Sequence, residues 1–109
     1  FLITCCGTFS SLDGNDGWFA SIFRDSTNLG QATRGLAHGN SVAGVQANFF
    51  PCSMTILDSP STASAITYGL RFRSYNADSD GSNTARLGQT LAGTSTIIPT
   101  HIVVMEVAG

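Results

Sequence analysis

Residues 66–73 read Ile-Thr-Tyr-Gly-Leu-Arg-Phe-Arg, an alternation with a period of two. Ile66, Tyr68, Leu70 and Phe72 share one face, and Thr67, Gly69, Arg71 and Arg73 share the other. Successive side chains of a pleated strand point to opposite faces, so this period selects a half-buried strand. A helix would place its apolar residues three and four apart. The register predicts Tyr68, Leu70 and Phe72 in the core and Arg71 and Arg73 in water. The same period recurs where Phe50, Cys52, Met54 and Ile56 alternate with Pro51, Ser53 and Thr55. It recurs again where Phe1, Ile3, Cys5, Gly7 and Phe9 stand against Thr4, Thr8 and Ser10. Pro51 has no N–H for a ladder and marks an edge or a bend.

Two further segments are apolar on both faces. In Trp18–Phe23, Trp18, Ala20 and Ile22 lie on one side and Phe19 and Phe23 on the other. In His101–Val107, Ile102 and Val104 oppose Val103, Met105 and Val107. A strand apolar on both faces is one buried on both faces. Two packed sheets bury only their inner faces, so the second apolar face needs a partner, most simply another copy of the chain. Trp18, Phe19, Phe23, Val103, Met105 and Val107 are the candidate residues of that interface.

The connections suit antiparallel strands. Asp13-Gly14-Asn15-Asp16-Gly17 is dense in residues that tolerate positive φ, and Asp25–Asn28 and Asp58–Ser61 are compact turns. Longer loops are expected at 34–44 and 76–83. Composition agrees: Lys is absent, Glu106 is the one glutamate, and Thr, Ser and Gly are plentiful. Helix surfaces favour Lys, Glu, Ala and Leu. The predicted fold is all-β, an antiparallel β-sandwich or jelly roll, formed as a single domain over residues 1–109. The chain opens at Phe1 without a Met and within an apolar alternation, which suggests the C-terminal piece of a longer protein.

Charge excludes some functions. Charged residues make up 11% of the chain, against about a quarter in ordinary domains. Net charge is −2, and Arg71 and Arg73 are the nearest thing to a basic cluster. Nucleic-acid binding needs a positive face, so it is set aside. No apolar run approaches the roughly 20 residues of a membrane-spanning helix, and no membrane insertion is expected. Arg71 and Arg73 sit on the polar face of their strand. Either they contact acidic sugars or a neighbouring subunit, or they keep that face wet and discourage edge pairing.

No catalytic set emerges. His38 lies in a glycine-rich stretch and His101 opens the last strand, each alone in its neighbourhood, and no Gly-x-Ser-x-Gly elbow is present. The aspartates fall in turns, where such residues cap their own backbone. Asn76, Asp78, Asp80 and Gly81 match the opening of a calcium loop, but Leu87 stands where a bidentate Glu belongs. Neither metal nor cofactor is expected. Cys5, Cys6 and Cys52 lack zinc-type spacing. They are read as free thiols packed as small hydrophobes, with one disulfide to Cys52 as the alternative.

Three segments, taken in order, resemble the tips of bacteriophage tail fibres of the cyanophage kind. They are the hairpin Ile22–Gly30, the run Met54–Thr62 leading into Thr67-Tyr68, and the ending Ile102–Ala108. The resemblance implies a trimeric β-sandwich at the end of a fibrous shaft, located on the virion and attached to other virion proteins through a preceding part. Its implied activity is non-catalytic attachment to a host surface glycan or outer-membrane protein. In such a head the loops carry recognition, and Arg34, His38, Asn40, Asn76, Asp78, Asp80 and Asn83 offer the donors and acceptors that sugars need. A virion structural or capsid-decoration protein without receptor contact is the alternative.

Overall fold

The structure, a computed structural model, describes residues 1–11, 16–40, 48–76, 85–88 and 99–107. Among these residues there is no helix. Eight strands are described: β1 (Leu2–Ser11), β2 (Asp16–Arg24), β3 (Thr27–Asn28), β4 (Ala37–Asn40), β5 (Asn48–Leu57), β6 (Tyr68–Asn76), β7 (Ala85–Leu87) and β8 (His101–Met105). All strand pairings are antiparallel.

The strands form two sheets, each built around one long strand. In the first sheet β5 runs along one edge of β1, from Leu2↔Leu57 to Ser11↔Asn48. The other edge of β1 is shared: β8 pairs with Leu2–Cys6 and β7 with Phe9–Ser11. In the second sheet β6 covers one edge of β2, from Asp16↔Asn76 to Arg24↔Tyr68. The other edge of β2 is shared by β4 at Gly17–Phe19 and β3 at Phe23–Arg24.

Alternation places the core between these two strands. Ile3, Cys5 and Phe9 of β1, Trp18, Ala20 and Ile22 of β2, and Met54 of β5 form one buried cluster. Phe9 and Trp18 stack with centroids 4.3 Å apart and planes 14° from parallel. Trp18 was expected to meet another copy, but it is 2% exposed and belongs to the core of its own chain. Its indole lies beneath Gly39 of β4, where a Cβ would come 2.8 Å from Nε1. Only a residue without a side chain lets the β4 backbone approach that closely.

The strands β1, β5 and β6 match their alternation, β2 and β8 fall on the two doubly apolar segments, β3 completes the hairpin within Ile22–Gly30, and β4 and β7 are additions. β4 falls inside the expected loop 34–44, and β6 runs on through Asn76. Asn40 and Asn76 therefore stand at strand ends, paired with Gly17 and Asp16. These segments lack alternation because Gly and Asn interrupt them, so periodicity had no purchase there.

A polar cluster ties the two sheets together at one end. Arg24 Nη1 donates to both carboxylate oxygens of Asp58, at 2.8 and 3.0 Å, and the Tyr68 hydroxyl donates to Asp58 Oδ2 at 2.7 Å. Asp58 N donates to Phe1 O at 2.9 Å, and the Phe1 and Tyr68 rings pack 6.0 Å apart. The Tyr68 hydroxyl is pushed up to about 12 by partial desolvation and by its bond to the Asp58 carboxylate.

Candidate functional site

The outer face of the second sheet carries the most distinctive chemistry. Alternation along β2 turns Phe19, Ser21 and Phe23 outward, and along β6 it turns Arg71 and Arg73 the same way. Register pairs Phe19 directly with Arg73 and Ser21 with Arg71, leaving Arg71 diagonal to Phe23. Direct and diagonal neighbours on one face are within reach of long side chains. The Arg71 guanidinium accordingly lies over the Phe23 ring, 4.4 Å from its centroid, and that of Arg73 over Phe19 at 5.1 Å. The planar, weakly hydrated guanidinium stacks on an aromatic face without losing its in-plane donors.

This geometry corrects the reading of β2 as doubly buried. Phe19 and Phe23 do form a second apolar face, but arginine stems and guanidiniums of the same chain cover it, and both rings are half-buried. The sequence left Arg71 and Arg73 open, either as contacts to acidic sugars or a neighbouring subunit or as groups that keep the face wet. What it hid was the register that lays them on the rings.

Residues 29–36 fold over one side of this face. Gly35 N donates to Gln31 O at 2.8 Å and Leu36 N to Ala20 O at 2.9 Å. The Gln31 side-chain oxygen accepts from Thr33 N, Thr33 Oγ1 and Arg34 N, at 2.9, 2.8 and 2.5 Å. Gly35 has φ 70°, and a Cβ there would strike the Ala20 carbonyl. Asn28 Oδ1 accepts from Ser21 Oγ and Gly30 N, while Asn28 Nδ2 donates to Gln31 O. The segment is a tightly bonded turn.

Between this turn and β6 lies a cleft of about 260 Å³, lined by Phe19, Phe23, Asn28, Thr33, Arg71 and Arg73 among others. Arg71 Nη2 donates to Asp25 O at 3.0 Å and Arg73 Nη2 to Thr33 O at 2.6 Å. Among the described residues the one ion pair is Arg24–Asp58, so neither cleft arginine has a carboxylate partner there. A shallower depression on the first sheet, around Cys6, Thr8, Pro51, Ser53 and Pro99, has no charged side chain in its lining.

The sequence-predicted contact residues divide around this cleft. His38 pairs with Phe19 across from Arg73, its ring 6.2 Å from the Phe19 ring, and is exposed. Arg34 is exposed in the covering turn. Asn40 and Asn76 stand at the Gly17/Asp16 end of β2, on the strands that flank its two opposite edges. Asp78, Asp80 and Asn83 lie outside the described residues, as does Gly81 of the calcium-loop pattern. Leu87, at the position of the missing bidentate ligand, packs against the core. No group of three or more His, Cys, Asp or Glu side chains among the described residues is placed to hold a metal.

The three cysteines are free thiols. Cys5 and Cys52 lie on the inner side, and burial raises both thiols above the usual range. Cys6 points outward, with its Sγ 3.3 Å from Ser53 Oγ.

β8 differs from every other long strand. Val103, Met105 and Val107, the expected interface residues, are 45, 49 and 54% exposed. Ile102 and Val104 are the register partners of Cys5 and Ile3 and so share the core side of the sheet, yet they are 37 and 42% exposed. Phe72, on the inner side of β6, is 40% exposed although its edge meets Phe9 at 5.8 Å. Among the described residues the core is thus incompletely covered along its β6–β8 side. The chain matches no family model, no curated protein and no solved structure.

Proposed function

We propose that this chain is the head of a trimeric bacteriophage tail fibre, an antiparallel β-sandwich of jelly-roll type that attaches the virion to its host without catalysis. The observation that carries the reading is the exposed apolar strand β8. Ile102, Val103, Val104 and Met105 of the strand, and Val107 just beyond it, stand 37–54% exposed. Exposed apolar surface of this kind on a sheet edge invites pairing or burial. Burial of each such side chain contributes on the order of 1–2 kcal/mol, and three-fold symmetry repeats every contact. Two antiparallel sheets around a shared core support the sandwich, and the segment order Ile22–Gly30, Met54–Thr62, Ile102–Ala108 supports the fibre resemblance.

Light scattering at micromolar concentration tests the assembly, with three times the chain mass of 11.4 kDa expected. A stable soluble monomer would refute it. Attachment is tested by competition: the folded head should block adsorption of the parent phage to susceptible bacteria. A folded trimer that neither binds cells nor competes returns the chain to a structural role in the virion.

A further inference from the structure

We infer that the cleft over Phe19 and Phe23 is a binding site for a carboxylated sugar, held through Arg71 and Arg73. Both arginines are exposed, both line the cleft, and neither meets a carboxylate among the described residues. Each guanidinium has five N–H donors and one described hydrogen bond, to the backbone carbonyl of Asp25 or Thr33. The remaining donors form a planar fork that matches a carboxylate. Each guanidinium is held over a ring and tied to one backbone carbonyl before any ligand arrives, which lowers the ordering cost of binding. The other polar groups of the cleft are largely committed. Asn28 is bonded through both side-chain atoms and Thr33 Oγ1 donates to Gln31. Uncommitted capacity therefore lies in the cations.

Size and position select a saccharide over an acidic peptide. The cleft volume of about 260 Å³ falls just under the ~300–1,000 Å³ of drug-sized pockets, which suits one sugar-acid unit. The cleft opens on the outer face of the sheet, where the ring and guanidinium side chains of β2 and β6 line it, so a ligand seated there meets side chains rather than the main-chain ladder that an extended peptide uses. The inference rests on the attachment reading for its biological setting, while the binding itself is measured on the isolated protein.

Titration calorimetry with tetragalacturonate tests it, with the fully methyl-esterified tetrasaccharide and tetraglutamate as comparison probes. The expected result is saturable millimolar or tighter binding of the free acid alone, weakened by salt as exposed charge contacts are. The R71Q/R73Q variant should bind roughly 10-fold to 100-fold more weakly, the loss expected for charge-assisted hydrogen bonds. R71K/R73K keeps the charge and removes the fork, so it should fall between the two. Melting curves establish that each variant is folded. Absence of binding by folded wild type, equal binding of the methyl ester or tetraglutamate, or unchanged affinity in R71Q/R73Q would each overturn the inference. If wild type and R71Q/R73Q block phage adsorption equally, attachment stands and the cleft assignment fails. If the acid binds but adsorption is untouched, the cleft stands and attachment fails.

Discussion

Replacing Asp58 with alanine removes the acceptor on which both sheets converge. The carboxylate takes Arg24 Nη1 through both oxygens and the Tyr68 hydroxyl through Oδ2. A hydrogen bond to a charged group contributes about 1.5–3 kcal/mol, and the 2.7 Å Tyr68 bond belongs to that class. The ion pair needs more care. Severing a fully buried pair costs about 3–5 kcal/mol, whereas an exposed pair contributes about 0.2–1 kcal/mol. The Arg24 side chain is 26% exposed and that of Asp58 11%, so Arg24 can recover part of its hydration and about 1 kcal/mol is the appropriate share. Asp58→Ala should therefore cost about 3 kcal/mol, or roughly 10–20 °C in Tm for a domain of this size. Urea unfolding at one fixed protein concentration measures it, because the stability of an oligomer depends on concentration. The D58A/Y68F double mutant should show a coupling of 1 kcal/mol or more, as contacting residues do. A cost for Asp58→Ala below about 0.5 kcal/mol, the range of ordinary surface changes, would refute the assignment of this cluster as the tie between sheets.

Three further outcomes are expected of the same molecule. Tyr68, raised to about 12, favours the folded state while protonated; its contribution is intact below the unfolded value near 10 and is lost as pH climbs from there through 12. Stability should fall over that window in wild type and much less in Tyr68→Phe, read from urea midpoints against pH. Phe9→Ala, at a fully buried position stacked on Trp18, should cost about 3–5 kcal/mol; Phe72→Ala, 40% exposed, should cost about half as much, and equal costs would show that the β6–β8 side is closed in solution. Gly35→Ala must hold φ 70° and meet the Ala20 carbonyl, so a loss of at least about 1–2 kcal/mol is expected in thermal melts.

How much of this was legible in the residues depends on the element. The alternation at 66–73 set the faces of β6 correctly, since Arg71 and Arg73 are exposed outward and Phe72 packs its edge on Phe9. The strands β1 and β5 were legible by the same period, and β2 and β8 by continuous apolar runs flanked by turn residues or the chain's end rather than by alternation. Short strands were not. β4 reads Ala-His-Gly-Asn, and its role is to pass closely over Trp18, a requirement visible only once β2 and β4 are paired. The candidate site was half legible. Arg71 and Arg73 stood out in a chain with five cations, but their stacking on Phe23 and Phe19 depends on a β2–β6 register that no single strand encodes. The Arg24–Asp58–Tyr68 cluster joins positions 34 and 10 residues apart, and nothing local announces it.

The two doubly apolar strands meet the same physical problem in different ways. β2 satisfies its second face from within the chain, by laying two guanidiniums over Phe19 and Phe23 and wrapping residues 29–36 around the rest. That arrangement covers carbon while keeping charge at the surface, which an aliphatic cover would not do. β8 has no such cover among the described residues. Its neighbours on the outer face are Leu2 and Leu57, through the register Leu2↔Met105 and Leu2↔Leu57, and Leu57 is itself 66% exposed. The apolar row therefore continues across three strands of the first sheet. A second copy seated there would cover this row and the open β6–β8 side, where Ile102, Val104 and Phe72 are left uncovered. The cleft opens on the outer face of the other sheet, so such a contact does not require it to close. The proposed assembly through β8 and the proposed anion recognition through Arg71 and Arg73 would draw on different sheets that meet at Phe72, which also lines the cleft, and a head built this way would present one cleft for each copy it contains.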